Sequence, residues 1–183
     1  MDPNTVAAAA ASASALIAAG AFITAIVQLR YLGRRIAGDH DWKRREKAFQ
    51  YSQVHHPGVK EARERLAPHF RSLPTHAPVS AFNAAANADP TIDADLRTIL
   101  IYLENMGLAV QHNVADFAVL YDMNGNDTIR FYEICREYIE ARRTDAGNPR
   151  LWQNIDRLVK RFKEEREIRD RADEKRYALP PSV

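Results

Sequence analysis

The longest apolar run of the chain spans residues 6–29, where no Asp, Glu, Lys, Arg or Pro interrupts the sequence. At about 1.5 Å of rise per helical residue, this run is long enough to cross a hydrocarbon core of about 30 Å. Basic residues follow it, at Arg30, Arg34, Arg35, Lys43, Arg44, Arg45 and Lys47. Short segments rich in Arg and Lys stay in the cytoplasm, so the pattern predicts a single transmembrane helix with its N-terminus outside.

Two other structures fit an apolar run. A cleaved signal peptide has positive charge before its apolar part, but residues 1–5 carry only Asp2 and the amino terminus. A fully apolar helix can also be buried in a soluble core, but this chain has little else with which to cover it. The membrane anchor is the favoured interpretation.

The rest of the chain shows helical rather than strand periodicity. Trp42 and Phe49 share one face of a basic juxtamembrane helix, which suits the headgroup layer. A one-sided helix follows at residues 59–70, and Pro74, Pro78 and Pro90 predict a loop over residues 72–90.

Four further helical segments, at residues 92–110, 114–121, 129–143 and 151–162, predict a bundle. The expected core residues are Leu96, Ile99, Leu103, Phe117, Ile134, Tyr138, Trp152, Ile155 and Val159. The predicted fold class is all-α, with an N-terminal transmembrane helix, a small cytoplasmic helical bundle and a charged C-terminal helix. The expected divisions are an anchor at residues 1–36, juxtamembrane helices and a Pro-rich loop at 37–91, the bundle at 92–163 and the tail at 164–183.

Charge and cysteine content narrow the function. With 26 basic and 24 acidic residues the chain is not expected to bind nucleic acid, because such proteins concentrate a basic excess on one face. Here the basic excess follows the apolar run, where it would meet anionic lipid headgroups. Cys135 is the one cysteine, so an intramolecular disulfide and a cysteine-based zinc site are excluded, in keeping with a reducing cytoplasm.

Residues 122–133 resemble an EF-hand calcium loop. Oxygen donors stand at the first, third, fifth and twelfth positions, and a backbone carbonyl would serve at the seventh. The candidate ligands are Asp122, Asn124, Asn126, Thr128 and Glu133. A hard cation needs several such oxygens around it, so the chain carries a candidate calcium site.

Three departures count against calcium. Asp127 replaces the glycine that the sharp turn at the sixth position requires, and Arg130 would stand beside the metal. A second loop to pair with the first is also missing. The alternative is an Asn-Gly turn joining two helices, with Asn126 or Asp127 as the cap of the second helix.

Catalytic machinery is not apparent in the sequence. His55, His56, His69 and His76 lie around Pro-rich segments rather than at helix-fixed spacing, and no H-E-x-x-H motif occurs. Walker, G-x-G-x-x-G and G-x-S-x-G motifs are absent as well. The chain is therefore not expected to be an enzyme, and no cofactor other than calcium is expected.

A wider resemblance covers residues 98–162. Residues 99–110 (ILIYLENMGLAV), the aromatic helix from Phe131 to Tyr138 with the following IEARR, and the segment from Pro149 through Trp152 to Asn154 are similar to domain of unknown function family 4760. The resemblance implies a short bacterial or phage-related protein with one N-terminal transmembrane helix and a small helical cytoplasmic domain. It implies no reaction, and it implies a plain helix connection around Asn124.

Together these patterns predict a non-catalytic interaction or scaffold module in the bacterial inner (plasma) membrane, single-pass, with the N-terminus out and the C-terminal domain in the cytoplasm. The expected partners are anionic lipid headgroups and a protein partner or further copies of the chain. The alternative function is a calcium-responsive sensor built on residues 122–133.

Overall fold

The computed structural model describes residues 3–51, 56–72 and 80–177, with side chains described within 21–51, 56–69 and 83–176. This part of the chain forms helices and no strand, which confirms the predicted all-α class. The helices are α1 (Pro3–Gln50), α2 (Pro57–Ser72), α3 (Ser80–Ala88), α4 (Pro90–Gln111), α5 (Phe117–Asp145) and α6 (Gln153–Tyr177).

The predicted membrane anchor falls within α1. Among the described residues, no helix is long and apolar enough to cross a membrane. The transmembrane helix and the single-pass location therefore gain no support from the structure. Most side chains of the predicted span, those before residue 21, lie outside the described part of the structure.

The chain forms two compact units, Met1–Lys43 and Arg44–Val183. The described side chains of the first unit all belong to α1, and its large apolar residues are exposed. They are Phe22, Ile23, Ile26, Val27, Leu29, Tyr31, Leu32, Ile36 and Trp42. The second unit contains the last turns of α1 and helices α2 to α6.

Helix α4 is the central element of the second unit. It packs against α2, α3 and α6, and α5 packs against α3 and α6. Most of the predicted core residues are buried here, namely Leu96, Ile99, Leu103, Tyr138, Trp152, Ile155 and Val159. Phe117 and Ile134 are only partly covered and pack against the same core.

The loop predicted at residues 72–90 is wrong at Ser80–Ala88, and residues 73–79, with Pro74 and Pro78, lie outside the described residues. Ser80–Ala88 forms α3, because its sequence SAFNAAANA is rich in alanine, the strongest helix former. Helix α4 then starts at once, with Asp89 as its N-cap and Pro90 in its first turn. The Asp89 carboxylate accepts a hydrogen bond of 2.8 Å from the backbone N–H of Thr91. Helices α2 and α3 thus belong to the same compact unit as α4 to α6.

Candidate functional site

The segment predicted as a calcium loop is helical. Helix α5 runs from Phe117 to Asp145 and passes through residues 122–133 without a break. At about 1.5 Å of rise per residue, the first and last proposed ligands stand about 16 Å apart along its axis. A calcium loop must instead fold its oxygens around one point. The proposed site is therefore not formed, and the alternative of a turn between two helices is also wrong.

The five proposed ligands point in different directions. Asn124 and Thr128 are buried, whereas Asp122, Asn126 and Glu133 are exposed. The Asp122 carboxylate pairs with Arg169 at 2.5 Å, and Glu133 pairs with Lys163 at 2.8 Å. Among the described residues, no group of three or more His, Cys, Asp or Glu side chains is placed to hold a metal ion. The exposed acids instead link α5 to α6.

Packing explains why the Asn-Gly sequence does not turn. A Cβ atom on Gly125 would lie 2.6 Å from a ring carbon of Tyr121, so the glycine leaves room for that ring one turn before it. The Tyr121 ring lies 5.6 Å from the ring of Phe162, and the Arg169 guanidinium lies 4.5 Å from its centroid. Gly125 is thus used for close packing, where sequence reasoning assigned it to a turn.

Cys135 lies on the buried face of α5. Burial raises the pKa of its thiol, because a thiolate is poorly solvated in the core. Since the thiolate is the reactive form, this side chain serves as a small apolar core residue.

The contact between α4 and α6 is built on a half-buried acid cap. The Glu104 carboxylate accepts hydrogen bonds from the backbone N–H groups of Asn154 and Ile155, each at 3.0 Å. It also accepts one of 2.8 Å from the side-chain amide of Asn154. These N–H groups belong to the first turn of α6, and the N–H groups of a first turn have no acceptors within their own helix. Glu104 therefore caps α6 from α4 and places a negative charge at the positive end of the helix dipole.

Two backbone features bring α6 to this cap. Trp152 adopts a φ of 57°, a left-handed value that bulky residues rarely take, directly before α6 begins. Its ring is buried and stacks on Tyr138 at 6.3 Å between centroids. On α4, a Cβ on Gly107 would lie only 2.5 Å from the backbone oxygen of Asn154. Helix α6 can approach α4 this closely because residue 107 has no side chain.

A second polar cluster joins α3, α4 and α5. The Asp93 carboxylate accepts hydrogen bonds from the Tyr138 hydroxyl at 2.6 Å and from Arg142 at 2.8 Å. Arg142 also donates to the side chain of Asn87 on α3, and Arg97 pairs with Asp93 one turn away. Burial alone would raise the pKa of Asp93, but these donors and positive charges outweigh it and lower the pKa below its ordinary value.

A groove of about 990 Å³ opens where the end of α1 and the start of α2 meet α4. Three rings form one wall of it: His56 lies 4.9 Å from Tyr102 and 6.1 Å from Tyr51. The Tyr51 hydroxyl donates to the backbone oxygen of Asn105, and the buried Tyr102 hydroxyl donates to the backbone oxygen of Tyr51. Burial raises the pKa of Tyr102 to about 12, so its hydroxyl stays protonated and can act as this donor. We call this opening the α4 groove; Lys47, Ile101, Leu108, His112 and Val114 also line it.

The predicted membrane-interface residues are divided between the two units. Arg30, Arg34, Arg35, Trp42 and Lys43 lie on exposed positions of the first unit, and Lys43 pairs with Asp39 at 2.8 Å. Arg44, Arg45 and Lys47 belong to the second unit. There the backbone oxygen of Arg44 accepts a hydrogen bond from the N–H of Asp116, whose carboxylate lies 3.9 Å from Arg45.

Sequence reasoning did not foresee the Glu104 cap or the α4 groove. The segments that make the α4–α6 contact are residues 103–107 (LENMG) on α4 and Trp152 to Asn154 around the start of α6. Both belong to the part of the chain that shows the family resemblance described under Sequence analysis. Their pairing was not visible because about 50 residues separate them along the chain. The sequence feature that could have indicated this contact is the single glutamate and single glycine, Glu104 and Gly107, on the apolar face of a predicted helix.

The comparisons with known proteins place the chain in one family. No curated protein and no solved structure matches it. The family model described as domain of unknown function (DUF4760) matches residues 15–162. This range includes most of α1, the Glu104 cap, the polar cluster at Asp93 and the α4 groove, and it exceeds half of the chain. The chain therefore belongs to the DUF4760 family.

Proposed function

We propose that this protein is a membrane-anchored, non-catalytic interaction module whose helical bundle binds a protein partner in the cytoplasm. The exposed apolar surface of α1 carries the proposal. Phe22, Ile23 and Leu29 are each more than 60% exposed, although large apolar side chains are usually covered. An apolar medium around this helix would cover them.

The sequence before these residues supports the same proposal. Residues 6–29 have no charged side chain and no proline, and the Arg-rich segment follows them directly. On insertion scales, each large apolar residue contributes about 0.3–0.6 kcal/mol at the helix centre. Such an insertion would hold the basic residues 30–47 at the membrane surface, where anionic lipid headgroups attract them.

The described polar clusters support binding rather than catalysis. Glu104 and Asp93 are both saturated by hydrogen bonds that join helices, and Cys135 is buried. None of these three side chains belongs to a catalytic set of nucleophile, base and orienting group that faces a cavity. The α4 groove, in contrast, exposes apolar side chains that a protein partner would cover.

Membrane fractionation of the full-length chain tests the anchor. The wild-type protein should remain in the membrane pellet after alkaline carbonate washing. Ile17→Arg combined with Ile23→Arg should release it, because each arginine costs about 2.5–3.5 kcal/mol near the centre of a spanning helix. A control with Ile36→Arg and Trp42→Arg carries the same added charge beyond the span and should stay in the pellet.

Release of the wild-type protein by carbonate would overturn the membrane anchor. The binding role is tested separately, by solubilising wild-type membranes and identifying by mass spectrometry the proteins that purify with the chain. Recovery of the chain as a bare monomer under mild solubilisation would contradict that role.

A further inference from the structure

Three basic side chains of α6 lie on the surface of the bundle without an acidic partner. Arg157, Lys160 and Arg161 are exposed, and within the described part of the chain none of them forms an ion pair. Lys163, further along the same helix, does pair with an acid, namely Glu133 at 2.8 Å. The three side chains therefore present positive charge that the fold itself does not use in a salt bridge.

Neutral groups hold two of these side chains. The Arg157 guanidinium donates hydrogen bonds to the side-chain oxygens of Gln111 at 2.8 Å and Asn154 at 3.4 Å. The Arg161 guanidinium lies 4.3 Å from the centroid of the Phe117 ring, a cation–π contact. Since an amide and an aromatic ring carry no net charge, both guanidinium groups are positioned without being neutralised. They would lose little side-chain freedom on meeting an anion.

A cleft of about 400 Å³ lies between these cations and the last turns of α4. It is positively charged, because Glu164 is the one acid among its described lining residues, against Arg157, Lys160 and Arg161. Its volume falls within the usual range of ligand-binding clefts. The cleft is thus suited to an anionic group.

A second basic set, distant along the sequence, adjoins these cations. Phe117, on which Arg161 stacks, directly follows Asp116 at the start of α5. The Asp116 N–H donates a hydrogen bond of 3.1 Å to the backbone oxygen of Arg44, and its carboxylate lies 3.9 Å from Arg45. The last turns of α1 therefore reach the bundle beside α6. We call the combined set the basic surface: Arg44, Arg45, Arg157, Lys160 and Arg161.

An anionic bilayer is the partner that fits the basic surface. Its five basic side chains outnumber the two acids described beside them, Asp116 and Glu164. Arg44 is the first residue of the compact unit, and it follows Leu29, the end of the apolar run, by 15 positions. Insertion of that run would tether the bundle close to the bilayer, so that a weak contact with headgroups becomes effectively intramolecular. A nucleic acid or an acidic protein has no such tether.

We propose that the bundle docks on the anionic cytoplasmic face of the bilayer through the basic surface. Lipid contact then extends from the segment after the anchor to α6, more than a hundred residues further along the chain. Arg157 and Arg161 donate hydrogen bonds to headgroup phosphates, and Lys160 adds a third cation. The inference rests on the proposed membrane anchor, and it assigns a second contact with the same bilayer.

Quenching of a fluorescent label by lipid headgroups tests the docking. The full-length chain with Ala118→Cys, an exposed position next to Phe117, is labelled and reconstituted into vesicles that contain a headgroup-linked quencher. The natural Cys135 is buried and should not react. Quenching should be strong with phosphatidylglycerol, weak with phosphatidylcholine alone and reduced by salt, because salt screens the attraction. A label at the exposed Glu137→Cys, about 28 Å further along α5, should stay unquenched in both vesicles.

Neutralising α6 in the Ala118→Cys background tests the residues. Each Lys or Arg near an anionic surface contributes about fivefold to binding, so Arg157→Gln, Lys160→Gln and Arg161→Gln together should lower the ratio of docked to undocked bundle about a hundredfold. Arg157→Lys with Arg161→Lys gives up the contacts to Gln111 and Phe117 but retains the charge, and should keep most of the quenching. This variant separates loss of charge from disturbed packing.

The matched control removes the same charge from exposed positions later in α6: Arg171→Gln, Lys175→Gln and Arg176→Gln. It should keep the wild-type quenching.

Three results would overturn the proposal. They are equal quenching at residue 118 in neutral and anionic vesicles, equal losses in the two triple Gln variants, and an unquenched basic surface that instead retains a nucleic acid or an acidic protein. Failure of the membrane anchor gives a different result, because alkaline carbonate would then strip the wild-type chain from the vesicles. A chain that resists carbonate but shows no headgroup quenching would keep the anchor and remove only the docking.

Discussion

At Gly107 the backbone of α6 passes so close to α4 that a side chain has no room. Gly107→Ala should therefore destabilise the bundle by about 1–3 kcal/mol, the usual cost of overpacking, although alanine is the better helix former by about 1 kcal/mol. The new methyl group would meet the Asn154 carbonyl, which is backbone and cannot rotate away. Chemical denaturation measures the change.

Gly58 in the first turn of α2 provides the matched control. Nothing lies within 4 Å of a Cβ placed there, so Gly58→Ala should be neutral or slightly stabilising. Equal effects of the two substitutions would show that α6 does not approach α4 at Gly107 as described.

Glu104 is the second residue on which the α4–α6 contact depends. Glu104→Gln keeps the shape of the side chain, but it removes the negative charge and turns one of the two acceptor oxygens into a donor, so that either the backbone N–H groups or the Asn154 side-chain amide lose their acceptor. We expect a loss of about 1–3 kcal/mol in the free energy of unfolding, the range for hydrogen bonds to charged groups. The exposed Glu137→Gln should change stability by less than about 0.5 kcal/mol. A silent Glu104→Gln variant would rule out the acid cap.

At the scale of elements, Asp93 joins α4 to α5 through Tyr138 and Arg142, and its lowered pKa predicts how stability depends on pH. A carboxyl whose pKa is lower in the folded than in the unfolded state adds stability at pH values above its unfolded pKa, and this contribution is lost as the pH falls through its folded pKa. Wild type should therefore exceed Asp93→Asn in stability at pH 7. The difference should shrink as the pH falls from about 5 to 2.

Denaturation of both proteins across this pH range measures the effect. The exposed Asp170→Asn is the control and should follow the wild-type curve. A gap between wild type and Asp93→Asn that stays constant down to pH 2 would contradict the role assigned to the Asp93 carboxylate.

The continuity of α5 predicts that calcium has no specific effect. Its proposed ligands are spread over a helix, and Asp122 and Glu133 already pair with Arg169 and Lys163. A ligand that binds the folded state raises the melting temperature by mass action, so millimolar calcium should leave the melting temperature unchanged relative to magnesium. A rise with calcium that Glu133→Gln abolishes would contradict this.

Helix α5 also shows what the sequence could and could not predict. Periodicity correctly indicated the all-α class of the described residues, and most predicted core residues are buried. The helix break expected at Asn124 and Gly125 does not occur. Gly125 makes room for the Tyr121 ring, and the buried Thr128 continues the side of α5 that faces the core. Turn signals are local, whereas this packing depends on α6, which lies far along the chain.

The α3 segment and the Glu104 cap show the same limit. Prolines around residues 72–90 indicated a loop, but the alanines at the end of that stretch form a helix that packs on α4 and α5. The acid cap joins residues 104 and 154, and no spacing rule connects positions that far apart. Helix content was therefore readable from local pattern, and the junctions between helices were not.

At the scale of the whole molecule, the membrane proposal makes a prediction about orientation. The balance of Arg and Lys on the two sides of a spanning segment sets its direction. Here Arg30, Arg34 and Arg35 follow residues 6–29, whereas residues 1–5 contain no basic side chain. Alkaline phosphatase fused after Val183 should therefore be inactive, and green fluorescent protein at the same point should be fluorescent.

Reversing that balance should reverse the result. Replacing Arg30, Arg34 and Arg35 by Gln and introducing Asn4→Arg with Thr5→Arg moves the nearest positive charges to the other side of the run without altering the run itself. We expect part of the population to export its C-terminus, seen as phosphatase activity with reduced fluorescence, because the remaining Lys43, Arg44 and Arg45 still oppose inversion. The three Gln replacements alone should give less activity than the full exchange. Phosphatase activity of the unmodified sequence fused after Val183 would mean that the bundle lies outside the cytoplasm, and would contradict the proposed setting for its partner.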